Sequence, residues 1–403
     1  MKKWPIVALV VSFVFLLGIF LGSACIIPVP VGSPRQGGSS ASAGLANVEQ
    51  AWNDIFKNYV DKSKLDPAKL SQGAIRGMLE ALNDPYTTYL DPQTYTTEMH
   101  QIAAKYEGIG AYVGTKGDQT VVISTIPGSP AEKGNVKAGD VILQVDGKSI
   151  SGMTPEQAVQ LIRGAAGSTV VVTVRHEGAT DPVDITLTRA AIQVKTVNWE
   201  MKGDIAYVRI ARFSEPTSEE FDDAANGILE EQSKGNARAM ILDLRMNPGG
   251  LLDSVVGIAS HFFDDGVVLY VVDKDGKRTE RNASPNKEQL RMPIVILVDE
   301  YSASGSEVLA GALRDRLGAT IVGHQTFGKG SVNQFRKLPD GGALYITISR
   351  WQTPNGTLIE GKGLAPDIPS DLHGNDMINW AIDYLHQKAG ASPVTGRRPV
   401  PVG

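Results

Sequence analysis

Ser304 and Lys329 are two residues whose types and settings could together do nucleophilic chemistry. Ser304 lies in Ser302-Ala-Ser-Gly-Ser306, ahead of the helically spaced EVLAGALRDRL at 307–317, so it sits at a helix N-terminus with outward-facing N–H groups. A serine hydroxyl is a weak nucleophile until a base takes its proton. A lysine can be that base near neutral pH when desolvation or a nearby cation suppresses its charge. Gly328 and Gly330 flank Lys329 and let its backbone pass close to another element, one way to bury an amine beside a serine. The same residues fit two plainer roles. Ser304-Gly-Ser-Glu307 is a capping box, and Gly323-x-x-x-x-Gly328-Lys329 resembles a phosphate-binding loop. The phosphate loop requires Ser or Thr where Gly330 stands, and a helix where 331–338 reads as a hairpin strand ending at Pro339-Asp-Gly-Gly342. Met240-Ile-Leu-Asp243, which could imitate the second nucleotide motif, precedes the loop, so a nucleotide site is set aside.

The elements that must position this pair follow from periodicity. PIVILV at 293–298 reads as a strand buried on both faces, broken by Asp299, Glu300 and Tyr301. Gly318 stops the helix, 319–323 is another strand, and 324–331 is a loop. Upstream, 204–213 alternates like a strand. Residues 217–233 are helical with Phe221, Ala224, Ala225, Ile228 and Leu229 inward, and 239–244 is a buried strand. Arg245-Met-Asn-Pro-Gly-Gly-Leu-Leu-Asp253 then turns into a helix at 254–263, and Gly249 and Gly250 could offer N–H groups to an anion. Strands alternating with helices imply an α/β core.

Composition narrows the classes. The chain has 403 residues, enough for two or three domains, and a net charge of −5, which gives no nucleic-acid signature. Cys25 is the only cysteine, so no intrachain disulfide or cysteine-based metal site can form. The six histidines (100, 176, 261, 324, 373 and 386) show no ligand spacing, and His324 is a loop residue near the proposed site.

Lys2 and Lys3 precede Trp4–Gly22, an uncharged run of 19 residues that can span a bilayer as a helix. Gly22-Ser-Ala-Cys25 resembles a lipoprotein cleavage site, with Gly22 where a larger aliphatic is usual, so an uncleaved anchor is the favoured expectation over a cleaved signal segment or a lipidated cysteine. Either way the bulk of the chain lies outside the cytoplasm. A Pro/Gly/Ser linker at 28–44 follows the anchor segment at 1–27. Residues 45–105 read as a helical packing region or dimerisation arm. Val48, Trp52, Ile55, Phe56 and Tyr59 share one face, Asp66 caps a helix with Pro67 at its first position, and 83–90 reads as a turn.

Residues 106–190 form a unit of short strands (121–125, 141–145, 170–175, 183–188) with a capped helix at 154–163. Tyr106-Glu-Gly-Ile-Gly110, Gly128-Ser-Pro-Ala-Glu132, 137–147 (KAGDVILQVDG) and the Leu-Ile-Arg-Gly helix end resemble a PDZ domain of the bacterial protease type. Such domains bind a peptide C-terminus by strand addition, with a Gly-rich loop meeting the carboxylate. The resemblance assigns Gly108, Ile109 and Gly110 to that loop. Arg163, just after the helix, is a candidate to report bound tail to the catalytic domain.

Four ordered blocks extend the resemblance: 243–252 (DLRMNPGGLL), 302–315 (SASGSEVLAGALRD), 326–332 (TFGKGSV) and 363–368 (GLAPDI). Together they resemble the carboxyl-terminal processing, or tail-specific, proteases of peptidase family S41, across roughly residues 45 to 375. The resemblance implies an α/β protease core at 191–375, a mixed sheet and helices in crotonase/ClpP-like βαβ units, with an inserted PDZ domain. Residues 376–403 would be a C-terminal helix and Pro-rich tail. It also implies a Ser304–Lys329 dyad, an oxyanion hole of Gly250 and Gly305, homodimers, and substrates met at their C-terminal tails in the periplasmic or extracellular space, sometimes in signalling. No metal or cofactor is required. The alternative is a catalytically weakened PDZ scaffold. That alternative rests on Asn333, which stands where the family usually has a Gln orienting the lysine amine; Gln334 faces the other way on a strand, so Asn333 is the residue expected to bond Lys329 and complete the catalytic set. Gly305 replaces the family's usual Ala, and Met246 its usual polar residue, a change that reads as neutral from the sequence.

Overall fold

Runs of aliphatic and β-branched residues build the sheet that carries the chemistry. The computed structural model describes residues 39–116, 119–285 and 288–390. The expected anchor at 4–22, the first part of the linker and residues 391–403 lie outside them. No helix of the described residues is long and apolar enough to cross a membrane. The chain divides into two units, one with residues 96–331 and 349–390, the other with 39–95 and 332–348.

The larger unit contains a six-stranded sheet in the order Val197–Lys202, Ile205–Ile210, Ala239–Asp243, Ile294–Val298, Thr320–Gly323, Ile368–Pro369. The first pair is antiparallel and the others are parallel. Parallel strands need crossovers, and the helices Thr217–Ser233, Leu252–Ala259 and Gly305–Leu317 supply them. The two central strands are buried at every position, as a sheet covered on both faces demands. Ile205, Ile241, Val295, Leu297 and Val322 pack with Met377, Ile378, Ala381 and Leu385 of the C-terminal helix Gly374–Gly390. The alternation of the pleat turns Met240, Leu242, Ile296 and Ile321 to the other face. Asp243, Val298 and Gly323 end adjacent strands at one edge, so the turns after them meet there, where open α/β sheets place their ligands.

The same unit holds the PDZ-like insertion. Its sheet runs Ala111–Lys116, Gln119–Thr125, Val141–Val145, Thr169–Arg175, Val183–Thr188, with Lys148–Ser149 paired to Val141–Val145. Val122, Ile142, Val145, Val170, Val172, Val174 and Leu187 fill its core with Ala158 and Ile162 of the helix Pro155–Ile162. Thr154 and Gln157 close the expected capping box. Lys105–Gly108 and Ala190–Gln193 pair antiparallel, so the chain enters and leaves the insertion through a two-stranded neck.

In the smaller unit, Thr88–Leu90 pairs antiparallel with 343–345 of the strand Ala343–Gln352, so part of the expected turn at 83–90 is a strand. Asp66 caps Pro67–Glu80 through the N–H groups of Ala68 and Lys69, as read from the sequence. Other expectations change. The first helix begins at Ser39, inside the segment read as linker, because its Ser/Ala run tolerates helix better than Gly or Pro would. Along the first two helices Leu45, Val48, Ile55 and Tyr59 are exposed, and Pro67–Glu80 buries no residue. In the larger unit, the helix expected at 254–263 spans Leu252–Ala259, and the Ser260 hydroxyl donates back to the Val256 carbonyl at its end.

Candidate active site

Three turns meet at the strand ends: 244–250, 299–304 and 324–330. Side chains and backbone bolt the first two together. Ala303 N donates to Asn247 O (3.1 Å), Ser306 Oγ to the same oxygen (2.8 Å), and Ser302 Oγ to Leu244 O (2.9 Å). The buried Asn247 amide donates to Ile210 O and accepts from Gly249 N, which fixes the Pro-Gly-Gly turn. Asp243, fully buried, anchors the start of that turn. It accepts from Arg245 Nε (2.9 Å) and Nη2 (2.6 Å) and from the Tyr207 hydroxyl (2.7 Å).

Ser304 occupies the N-cap of Gly305–Leu317 with φ 51° and ψ −111°, a conformation costly for a residue with a Cβ. Glu307, three positions on, explains how it is held. Glu307 Oε2 accepts from Ser304 N (2.8 Å) and from Lys329 N (2.9 Å). Oε1 accepts from Thr326 Oγ1 (2.5 Å) and Gly328 N (2.8 Å). The backbone nitrogens of Ser304 and Lys329 are therefore no farther apart than the sum of two hydrogen bonds. Burial pushes the Glu307 carboxyl up to about 7, and the four donors oppose that shift. Thr326 Oγ1 itself accepts from Leu364 N, so its proton is free to point at Glu307. The sequence revealed Glu307 only as half of a capping box; its grip on the second loop has no local sequence signal.

Lys329 is 1% exposed and among the largest fully buried side chains. Its carbonyl accepts from Trp351 Nε1 (3.0 Å), and Trp351 N donates to Gly330 O (2.9 Å). The flanking glycines are required by close approach, as expected. A Cβ on Gly330 would lie 2.5 Å from Glu360 N, and one on Gly328, with φ 92°, 2.9 Å from Gly363 N. Ser331–Lys337 is a strand, so the phosphate-loop alternative lacks its helix.

Gly250 and Gly305 also come together. A Cβ on Gly305 would stand 3.3 Å from Gly250 N, and one on Gly250, with φ 144°, would fall 1.9 Å from Phe213 O. Both residues are buried, and among the described residues neither N–H has an acceptor. Buried N–H groups without a partner are rare, and two side by side suit a developing oxyanion.

Asn333 belongs to the smaller unit. It is buried, and its Nδ2 donates to Tyr86 O (2.9 Å) and Thr347 Oγ1 (3.0 Å). Its expected pairing with Lys329 stays an expectation. His324 bonds Glu300 through Nδ1 and Asp371 through Nε2, both at 3.1 Å, and those carboxylates raise its pKa.

Within the insertion, Gly108, Ile109, Gly110 and Arg163 line one cavity of about 320 Å³ with Tyr106 and Ile162. Gly110 has φ 76°, and a Cβ there would meet Ser129 Cβ at 2.4 Å. The Arg163 guanidinium stands 5.5 Å from the centre of the Tyr106 ring.

Comparison with known proteins identifies the family. Residues 204–370 match the model of peptidase family S41, residues 121–176 a PDZ domain, and residues 30–94 the N-terminal domain of the activating protease CtpB. The carboxy-terminal processing protease CtpA of Bacillus subtilis (strain 168) is 35% identical over 89% of this chain and 77% of its own length. A "Probable CtpA-like serine protease" of Staphylococcus aureus (strain bovine RF122 / ET3-1) is 36% identical over 94% of this chain and 75% of its own. A solved photosystem II D1 C-terminal processing protease is 32% identical, covering 80% of this chain and 92% of its own, with a TM-score of 0.48.

Proposed function

This chain belongs to peptidase family S41 and is a serine-type C-terminal processing peptidase, and from that premise we propose that Ser304 and Lys329 carry out its chemistry. Burial favours the uncharged form of the Lys329 amine. That amine takes the proton of Ser304 as the hydroxyl oxygen attacks a peptide carbonyl. The N–H groups of Gly250 and Gly305 receive the oxyanion. Collapse of the tetrahedral intermediate expels the amine product, which leaves with the proton from Lys329. Lys329 then draws a proton from water as the water oxygen attacks the acyl carbonyl, and gives that proton to Ser304 Oγ as the acid product departs.

The observation that carries this reading is the shared Oε2 of Glu307, which ties the serine turn to the lysine loop. The PDZ cavity at Gly108–Gly110 and Arg163 supplies a place for the substrate tail. Hydrolysis of casein or of a peptide with a free C-terminus tests it. Ser304→Ala and Lys329→Ala should each lower kcat by about a thousandfold or more. Turnover within about tenfold of wild type in either variant would overturn the assignment.

The same reading places the enzyme outside the cytoplasm, tethered through residues 4–22. Its support is the charge-free length of that run and its two N-terminal lysines. A homodimer would cover the exposed Leu45, Val48, Ile55 and Tyr59.

A further inference from the structure

Met246 stands in the left-handed region, with φ 59°, and its side chain is 56% exposed. Glycine, asparagine and aspartate adopt that conformation routinely; an exposed thioether gains nothing there from core packing. The conformation is nevertheless enforced. Both carboxylate oxygens of Asp299 accept from Met246 N at 3.0 Å. Asp299 Oδ1 also accepts from Tyr301 N at 3.1 Å, Asp299 N donates to Ser302 Oγ at 2.9 Å, and Ser302 O accepts from Phe327 N at 3.1 Å. One hydrogen-bond chain therefore links the backbones of Met246, Tyr301 and Phe327. All three are large apolar residues with exposed side chains, Tyr301 at 37% and Phe327 at 40%. Each lies on a different turn of the candidate site: four residues before Gly250, three before Ser304 and two before Lys329. Strain held by its surroundings beside a reaction centre points to function rather than to stability.

We infer that Met246 is a specificity-determining residue: with Tyr301 and Phe327 it receives an apolar substrate side chain next to the scissile bond. This rests on the Ser304–Lys329 reading. An unbranched thioether can refit to aliphatic side chains of different shape, so the contact selects for apolar character more than for one residue. The PDZ cavity holds the tail, and Met246 acts where the chain is cut.

The test uses the full-length protein as wild type, Met246→Asn, Met246→Leu, Phe327→Ala and Ser304→Ala. Mass spectrometry of casein digests identifies the residues flanking each cut. Two peptides that differ only at the enriched flanking position, Leu against Gln, then give kcat/KM. Wild type should favour Leu. Met246→Asn should lower that preference by about tenfold, mostly through the Leu peptide, while Met246→Leu keeps it. Met246→Asn should also melt about 2 °C or more higher, because asparagine tolerates the backbone better; a merely structural methionine would not give higher stability together with lost selectivity. Phe327→Ala should reduce the same preference, and serves if Met246→Asn fails to fold. An unchanged Leu-to-Gln ratio in Met246→Asn, or in Phe327→Ala should it stand alone, overturns the inference. Cleavage retained in Ser304→Ala would instead sink the catalytic reading beneath it.

Discussion

Ser304 and Lys329, 25 residues apart in the chain, each donate a backbone N–H to one carboxylate oxygen of Glu307, at 2.8 and 2.9 Å. The residue that caps the helix behind the serine thus also sets the position of the lysine loop. Glu307→Gln keeps the shape but offers two donors to a ring of donors, so one end must face an N–H or hydroxyl it cannot accept from. We expect kcat to fall by about ten- to a hundredfold with a much smaller change in KM, and the melting temperature to drop, since buried donors are left unsatisfied. Steady-state kinetics within about twofold of wild type would show that the bridge does not position the site.

The two glycines proposed to receive the oxyanion, Gly250 and Gly305, should respond in opposite ways to alanine. At Gly250 a Cβ would collide with Phe213 O at 1.9 Å, which no side-chain movement can relieve. Gly250→Ala should lose activity and fold poorly, as read by kinetics and circular dichroism. At Gly305 the nearest atoms are Val255 Cγ2 at 3.0 Å and Phe213 Cδ2 at 3.1 Å, both on side chains. Gly305→Ala should keep activity within about threefold, because the donor is a backbone N–H and alanine favours the helix. An inactive but folded Gly305→Ala would contradict the oxyanion placement.

Glu98 gives a pH dependence of stability. It is fully buried, neither carboxylate oxygen has a hydrogen-bond partner among the described residues, and burial raises its pKa to about 7 despite Arg212 nearby. The folded value lies above the ordinary carboxylate range, so the protonated acid is favoured in the fold. The stabilisation is fully present below about pH 4.5 and is lost as pH rises through about 7. Glu98→Gln should flatten that slope and raise stability at pH 8 by at most roughly 2–3 kcal/mol. Urea denaturation at pH 5.5 and 8 checks it; an equal slope in both proteins would show that Glu98 does not titrate in this range.

Trp351 clamps the lysine loop through its indole N–H to Lys329 O. Trp351→Phe should cost about 1–3 kcal/mol, combining the lost bond and an unsatisfied buried carbonyl. It should also lower kcat more than it changes KM. Thermal melts and kinetics give both numbers, and a kcat equal to wild type would separate this clamp from the chemistry.

The sequence exposed most of what is periodic or punctuated. The strand of 294–298, the helix Thr217–Ser233 with its inward Phe221 and Ile228, and the capped helix at 155–162 were legible because their burial follows from spacing. The glycines around Lys329 were legible as places of close approach. Long-range bridges were not. Nothing in S-x-x-E says that Glu307 will also hold Gly328 and Lys329, because that depends on which loops the sheet edge brings together. The N-terminal helices misled for a related reason: Val48, Ile55 and Tyr59 share a face, but an apolar face does not state what covers it. Strand Thr88–Leu90 was missed because its signal is three residues long and its partner lies some 250 residues away.

Intact-protein mass spectrometry on a millisecond-quenched reaction with an activated peptide ester tests the nucleophile most directly. Wild type should carry the mass of the peptidyl acyl group, mapped by fragmentation to Ser304, and neither Ser304→Ala nor Lys329→Ala should accumulate it. An acyl group on another residue, or an adduct forming at the wild-type rate in Lys329→Ala, would contradict the account.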